Sequence, residues 1–128
     1  MMQRLFLIPD SEGKETFDAS RLRTAIQDLH GVTHWREGSD SVDPEGTLFE
    51  CELETGDKTT VPIPIQIRKD LTSASIGAFH DEGLQSALDI QRRYGGEVFA
   101  FSEKSSPEVV ALSAIKSPQE LAEKLKLR

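Results

Sequence analysis

The sequence lacks the cysteine pairs and zinc-ligand motifs that stabilise many small proteins. Cys51 is the only cysteine among 128 residues, so no disulfide can form within the chain. A lone cysteine fits a reducing compartment better than a secreted protein. The CxxC and HExxH patterns that bring zinc ligands together are missing as well. A chain of this length can bury a core without either device, so we expect one globular domain over residues 1–128, with no metal and no cofactor.

Long apolar runs are also absent. No stretch approaches the roughly 20 apolar residues that a membrane-spanning helix needs. The apolar run within residues 1–10 is too short for a signal peptide and lacks a small-residue cleavage site. We therefore expect a cytoplasmic protein that does not bind membranes.

The motifs of several common enzyme classes are not found. The chain contains no GxxxxGK[ST] or GxGxxG phosphate cradle and no GxSxG nucleophile elbow. Cys51 could act as a nucleophile with one of the three histidines, but their spacing matches no family signature. Cys51 also alternates with apolar neighbours, which places the thiol on a buried strand face. We therefore interpret Cys51 as a core residue and predict that the protein is not an enzyme.

Acidic residues are plentiful, and they are concentrated in one segment. The formal net charge is −7, from 22 acids against 15 Lys and Arg. Eight of the acids lie between Glu37 and Asp57, where there is no base, and the rest of the chain holds 14 acids and 15 bases. This balance argues against nucleic acid as a partner, because proteins neutralise phosphates with Lys and Arg. The acidity therefore belongs to one segment rather than to the whole protein.

Hydrophobic periodicity predicts alternating strands and helices. Helices are expected after the N-cap residues Asp18, Asp81 and Ser117, and strands over 2–8, 32–37, 47–54, 59–68, 75–79 and 97–101. Residues 55–58 are typical of a tight hairpin turn. Residues 106–115 begin like a helix but contain Val109 and Val110, which favour a strand, so both alternatives stay open.

Two prolines bear on the order of the strands. Pro62 and Pro64 both lie in the predicted strand 59–68. Neither can donate a hydrogen bond to a neighbouring strand, and residues two apart point their backbone groups to the same side. The prolines therefore predict that this strand lies at an edge of the sheet.

These elements predict an α+β fold. We expect a two-layer sandwich, with helices on one face of a mixed or antiparallel sheet. The predicted order is β-α-β-β-β-α-β-α, and the nearest named topology is a ferredoxin-like arrangement with extra strands. Fold alone assigns no function, so any function has to come from a site.

The acidic segment is the main candidate for that site. Within it, Glu50, Glu52 and Glu54 share one face of a strand, where they repel one another and would give a ridge of unpaired carboxylates. Such a ridge attracts a basic partner at long range. The predicted partner-binding residues are Glu37, Asp40, Asp43, Glu45, Glu50, Glu52, Glu54, Asp57 and the only tryptophan, Trp35.

In size and acidity the chain resembles bacterial immunity and inhibitor proteins, which implies a basic protein partner such as a toxin or nuclease. Three alternatives stay open. The acidic segment can serve solubility alone. A small ligand-binding domain or enzyme would instead use a pocket near His34, His80 and Asp81. An accessory domain would dimerise through its sheet face, and the sequence leaves the oligomeric state undecided.

Overall fold

Three α-helices pack on one face of a seven-stranded sheet in the described part of the computed structural model, which covers residues 4–38, 46–54, 62–78 and 81–127. The strands are β1 (Arg4–Ile8), β2 (Val32–Glu37), β3 (Thr47–Leu53), β4 (Ile63–Arg68), β5 (Ala74–Gly77), β6 (Phe99–Ser102) and β7 (Val110–Ala111). The helices are α1 (Ala19–Gln27), α2 (Asp81–Tyr94) and α3 (Pro118–Lys124), and a single 3₁₀ turn spans Leu112–Ala114.

The strand order in the sheet is β2-β3-β4-β5-β1-β6-β7, and every neighbouring pair is antiparallel. Strands β2 to β5 follow one another as a meander, and β1 then lies between β5 and β6. The predicted two-layer α+β sandwich, with helices on one face, is confirmed. Four strands lie between α1 and α2, at the four places where the periodicity predicts them, whereas the predicted order β-α-β-β-β-α-β-α counts three. The ferredoxin-like order is not confirmed.

The core lies between the sheet and the helices, because β1, β3, β4 and β6 bury alternate side chains on the helix side. Buried and half-buried residues alternate along β3 from Phe49 to Leu53. They alternate in the same way along the whole of β4, from Ile63 to Arg68. The largest side chains that are fully buried come from both layers: Leu5, Leu7, Leu22, Ile26, Phe49, Ile63, Ile65, Ile67, Ile76, Leu84, Ile90 and Leu112.

The predicted helix starts agree with the structure to within one residue. Asp18 is the N-cap of α1 and accepts a hydrogen bond from the backbone N–H of Arg21. Ser117 caps α3 in the same way, with Pro118 following it. Asp81, the expected N-cap of α2, is instead its first helical residue.

Residues 106–115, for which both a helix and a strand stayed open, contain a short strand and a helical turn. Val110 and Ala111 form β7, which pairs with β6, and the 3₁₀ turn follows it directly. The predicted hairpin turn at residues 55–58 lies outside the described residues.

The prediction that the proline-containing strand lies at a sheet edge is wrong. β4 lies between β3 and β5. The pairing of β4 with β5 covers only residues Ile65 to Ile67, so Pro64 lies beyond its end. Pro62 precedes the strand altogether. Pro64 pairs with Glu52 of β3 alone, so the prolines occupy the end of an interior strand, where β5 is no longer its neighbour.

Tyr94 fastens the end of α2 to the start of α1. Its hydroxyl oxygen accepts a hydrogen bond from the backbone N–H of Asp18 at 2.8 Å. The Arg21 guanidinium donates to the Tyr94 carbonyl oxygen from Nε at 3.1 Å and from Nη2 at 2.6 Å, and it lies 4.5 Å from the centre of the ring. Phe17 meets the same ring edge-on, at 5.5 Å between centroids. These contacts set the two helices side by side above the sheet.

Gly83 lets the first turn of α2 approach β5 closely. A Cβ at this position would lie 2.2 Å from the Gly77 carbonyl oxygen, well inside any van der Waals contact. Gly83 is buried, and the backbone of the neighbouring strand has no room to move. The close packing of helix on sheet at this end therefore depends on a residue with no side chain.

We predict that Gly83→Ala destabilises the protein by about 2 kcal/mol, as overpacking does. An exposed helical position would gain up to about 1 kcal/mol from the same change. Urea unfolding measures the difference.

Gly96→Ala is the matched control, because the atoms nearest to a Cβ there would belong to the side chains of Arg21 and Tyr94 rather than to the backbone, at 3.3 Å or more. We expect it to change the free energy of unfolding by less than about 1 kcal/mol. A Gly83→Ala variant as stable as the wild type would contradict the close-packing argument.

Candidate functional site

The side of the sheet opposite the helices, which we call the open face, is not covered by any described element. Its side chains are half-buried rather than buried, in alternation with the core residues. One row of cross-strand neighbours on this face runs through six strands, from β6 to β2: Phe101, Phe6, Ser75, Gln66, Glu50 and Arg36. The open face thus carries aromatic rings at one end and charge at the other.

Of the predicted acidic site, Glu50 and Glu52 lie on the open face, and each has a neighbour. Gln66 Nε2 donates to Glu50 Oε2 at 3.1 Å. His34 Nδ1 lies 3.4 Å from Glu52 Oε2, an ion pair whenever the imidazole is protonated. The expectation of unpaired carboxylates therefore does not hold for these two residues. Their charge persists, because an amide is a neutral partner and the histidine is largely exposed.

Glu37 lies on the other side of the sheet from Glu50 and Glu52. Its carboxylate pairs with Arg23 of α1 and accepts a hydrogen bond from Trp35 Nε1 at 3.3 Å. Arg23 in turn lies over the ring of the buried Phe49, 4.5 Å from its centre. Glu37 is therefore bound to the helix layer and does not join the other two carboxylates.

Trp35 packs on the core and does not stand out from the surface. Its ring stacks on Phe49 with 4.9 Å between centroids and 15° between planes. The cause is a bulge in β2, where the register shifts between Thr33 and Arg36 and His34 has a φ of 53°. The extra residue reverses the alternation of the strand and directs Trp35 towards the helices.

Glu54 is exposed at the end of β3 and lies in a different setting again. It lines a groove of about 250 Å³ together with His30, Glu82 and Asp89, at the ends of α1 and α2. The described acids of the predicted site thus fall into three places, which are the open face, the Arg23 pair and this groove. Asp40, Asp43, Glu45 and Asp57 lie outside the described residues.

The alternative pocket is not assembled by the residues that the structure describes. His34 faces the open side of the sheet beside Glu52, whereas Asp81 begins a helix in the opposite layer. His80 lies outside the described residues. His30 and His34 have the spacing of paired metal ligands on a helix, but α1 ends at Gln27 and His34 belongs to β2. Among the described side chains, no group of three or more histidine, cysteine or acidic residues could hold a metal ion.

Cys51 is buried on the helix side of β3 and is 3% exposed. Burial, together with the neighbouring charges of Glu52 and Glu50, raises the pKa of its thiol to about 11. A thiol that stays protonated is a poor nucleophile. This geometry supports the interpretation of Cys51 as a packing residue.

Arg68 is a site residue that the sequence reasoning missed. It lies at the end of β4 on the open face and lines a groove of about 340 Å³ with Gln66, Ser75, Phe6 and Phe101. The alternation of residues 63–68 does place Arg68 on the same face as Gln66. Its proximity to two phenylalanines depends on the position of β1 and β6, which the sequence does not reveal.

Comparisons with protein-family models, with curated proteins and with solved structures give no match to this chain. No helix among the described residues has the length and apolar character to cross a membrane. The site therefore has to be interpreted from its own geometry.

We predict that Cys51 makes the stability of the protein fall between about pH 9 and pH 11. The folded state keeps the thiol protonated up to about pH 11, whereas an ordinary cysteine loses its proton near 9.0. The native state therefore binds more protons in this window, and stability declines as the pH rises through it. The full effect is about 2 to 3 kcal/mol.

Urea unfolding between pH 7.5 and 10.5 measures this effect as the difference between the wild type and Cys51→Ala. The variant has lower stability throughout, because a buried group is removed, but it should lack this part of the pH dependence. Identical pH slopes for the two proteins would show that the thiol is not held in its protonated form.

Proposed function

We propose that this protein is a small non-enzymatic binding protein that holds a basic protein partner against β3 and the open face. The observation that carries the proposal is the composition of that face. Two carboxylates, Glu50 and Glu52, and a pair of half-buried aromatic rings, Phe6 and Phe101, lie on one uncovered surface. Charge for steering and apolar area for contact are the two components of a typical protein interface.

The acids supply the long-range part of the interaction. Alternate residues of a strand are about 7 Å apart, so Glu50 and Glu52 form a pair of carboxylates on the open face, and the exposed Glu54 follows the end of β3 beside the groove between α1 and α2. Arg36 faces Glu50 across the strands, and no other described base has Glu50 or Glu52 as its cross-strand neighbour. Several like charges on one surface raise the association rate of a partner of opposite charge and make that rate sensitive to salt.

The aromatic end supplies the short-range part. Phe6 and Phe101 stack with 5.2 Å between centroids and 22° between planes. Ile8 and Phe99 are the adjacent cross-strand pair on the same face, and they are half-buried too. Apolar side chains of this kind are the usual anchors of binding energy once a partner excludes water from them.

An immunity or inhibitor protein that neutralises a toxin or nuclease in the cytoplasm is the more specific form of this proposal. A nuclease binds phosphates with Lys and Arg, so carboxylates in a row are complementary to its substrate groove. Neither nucleic acid nor a membrane is a proposed partner. The alternative pocket near His34, His80 and Asp81 has no such support, since His34 and Asp81 lie in opposite layers of the fold.

We predict that reversing the charges of Glu50 and Glu52 in β3 and of Glu54 just beyond it abolishes partner capture. The tagged triple variant Glu50→Lys, Glu52→Lys and Glu54→Lys should retain at least tenfold less partner from a lysate of its source cells than the wild type does. Close charge pairs across interfaces are worth more than about 1.5 kcal/mol each, and replacing attraction by repulsion adds to the loss. Quantitative mass spectrometry of the captured proteins is the measurement.

The matched control reverses three exposed acids that lie outside the strands of the sheet and line neither groove described above: Asp28, Glu108 and Glu123. This control changes the net charge equally and should capture as much partner as the wild type. Light scattering on all three proteins shows whether two copies meet through the open face and hide the acids. Equal capture by both triple variants, or a captured partner that is itself acidic, would refute the proposal.

A further inference from the structure

The groove on the open face has the size and lining of a small-ligand site. Its volume of about 340 Å³ lies within the range of about 300 to 1,000 Å³ that ligand pockets occupy. Two phenylalanines form one end and an arginine the other, with short polar side chains between them. The lining residues used below are Phe6, Phe101, Gln66, Arg68, Ser73 and Ser75.

The cationic end of the groove has an incomplete set of hydrogen bonds. Arg68 Nη2 donates to Asp70 Oδ2 at 3.0 Å. Arg68 Nε is buried and has no hydrogen-bond partner, and it is the only such side-chain atom in the described part of the chain. Buried donors almost always have an acceptor, so an unpaired one calls for an explanation. A carboxylate that binds a guanidinium side-on contacts Nε and one terminal nitrogen together, and the Arg68 side chain would have to turn towards the groove to offer its Nε in this way.

Asp70 does not fill this role itself, because the turn holds it elsewhere. Its Oδ1 accepts hydrogen bonds from the Thr72 hydroxyl at 2.7 Å and from the Thr72 backbone N–H at 3.1 Å. These bonds, together with the one from Arg68, hold the pKa of Asp70 below its usual value. Asp70 thus neutralises part of the charge of Arg68 but leaves the rest of the guanidinium, whose side chain is 42% exposed, for another acceptor.

The apolar end offers a ring surface at a defined distance from the guanidinium. Phe6 of β1 and Phe101 of β6 are stacked on each other and half-buried. β4 and β1 are separated by β5 alone, so their axes are about 10 Å apart at the usual spacing of strands. Ser75 of β5 lies between them, and its small side chain keeps the floor of the groove low. An aromatic ring stacks favourably on such a wall.

From this arrangement we infer that the groove binds a small molecule in which a short arm joins an aromatic ring to a carboxylate. The carboxylate meets Arg68, the ring lies on Phe6 and Phe101, and the hydroxyls of Ser73 and Ser75 line the space between. No carboxylate side chain lines the groove itself, and the two nearby carboxylates, Asp70 and Glu50, accept hydrogen bonds from the lining residues Arg68 and Gln66. The inference does not rest on the proposed function: both use Phe6 and Phe101, but only the proposed function uses the acids of β3, and only the groove uses Arg68.

The probe for the test is 3-phenylpropionate, titrated into the full ¹⁵N-labelled chain. We expect saturable shifts of the amide resonances of Arg68, Ser75 and Phe101. Arg68→Gln should weaken binding at least about tenfold, the usual effect of losing hydrogen bonds to a charged group. Arg36→Gln is the matched control, because Arg36 lies on the same face beyond Glu50, and it should change the affinity less than twofold.

A second variant tests the groove without touching the arginine. Ser75→Tyr should fill the groove and abolish the saturable shifts while leaving the charges in place. The neutral analogue 3-phenylpropanol and inorganic phosphate test the two ends separately, and each should bind at least about tenfold more weakly than 3-phenylpropionate. Equal binding of phosphate or of the neutral analogue would overturn the inference, as would equal losses in Arg68→Gln and Arg36→Gln.

The triple variant of Glu50, Glu52 and Glu54 separates this inference from the proposed function. It should bind 3-phenylpropionate within about twofold of the wild type, even where it no longer captures a protein partner. Absence of saturable binding to the wild type would refute the ligand site and leave the result of the capture experiment unaffected.

Discussion

Burial on one face only is the constraint on which the rest of this structure depends. All three described helices cover the same side of the sheet, so each long strand has one dry and one wetter face. The free energy that holds the layers together comes from the apolar residues of the dry face, such as Leu5, Ile65 and Phe49. The open face does not have to be apolar to hold the layers together, and its side chains can therefore serve binding.

The same constraint decides where charge can lie. In β3 the acids alternate with core residues, so Glu50 and Glu52 have to face away from the helices. Glu37 does not face the same way, because the bulge in β2 changes the alternation of that strand. Its carboxylate pairs with Arg23 on the helix side instead. A contiguous acidic segment in the sequence is thus divided by the sheet. The part on the open face is the part that a partner can reach without displacing an internal ion pair.

The open face brings together acidic and aromatic side chains that are far apart in the sequence. Its acidic end comes from β3, whereas its aromatic end comes from β1 and β6, which lie at opposite ends of the chain. Arg68 lies between them, held at one nitrogen by Asp70 and lacking an acceptor at Nε. Protein binding and small-ligand binding share Phe6 and Phe101, but the first depends on the acids of β3 and the second on Arg68, which is why the two proposals can succeed or fail separately.

Local pattern was sufficient to predict the elements of the fold. The period of two along β3 and β4 and the caps at Asp18 and Ser117 depend on neighbours within a few residues, so the sequence by itself determined strands, helices and the buried character of Cys51. Only the tertiary structure decided which strands lie side by side. It placed β4 inside the sheet despite Pro64, turned Trp35 onto Phe49, and assembled the Arg68 groove. Each of these outcomes depends on pairing between distant segments, and no local pattern records that pairing.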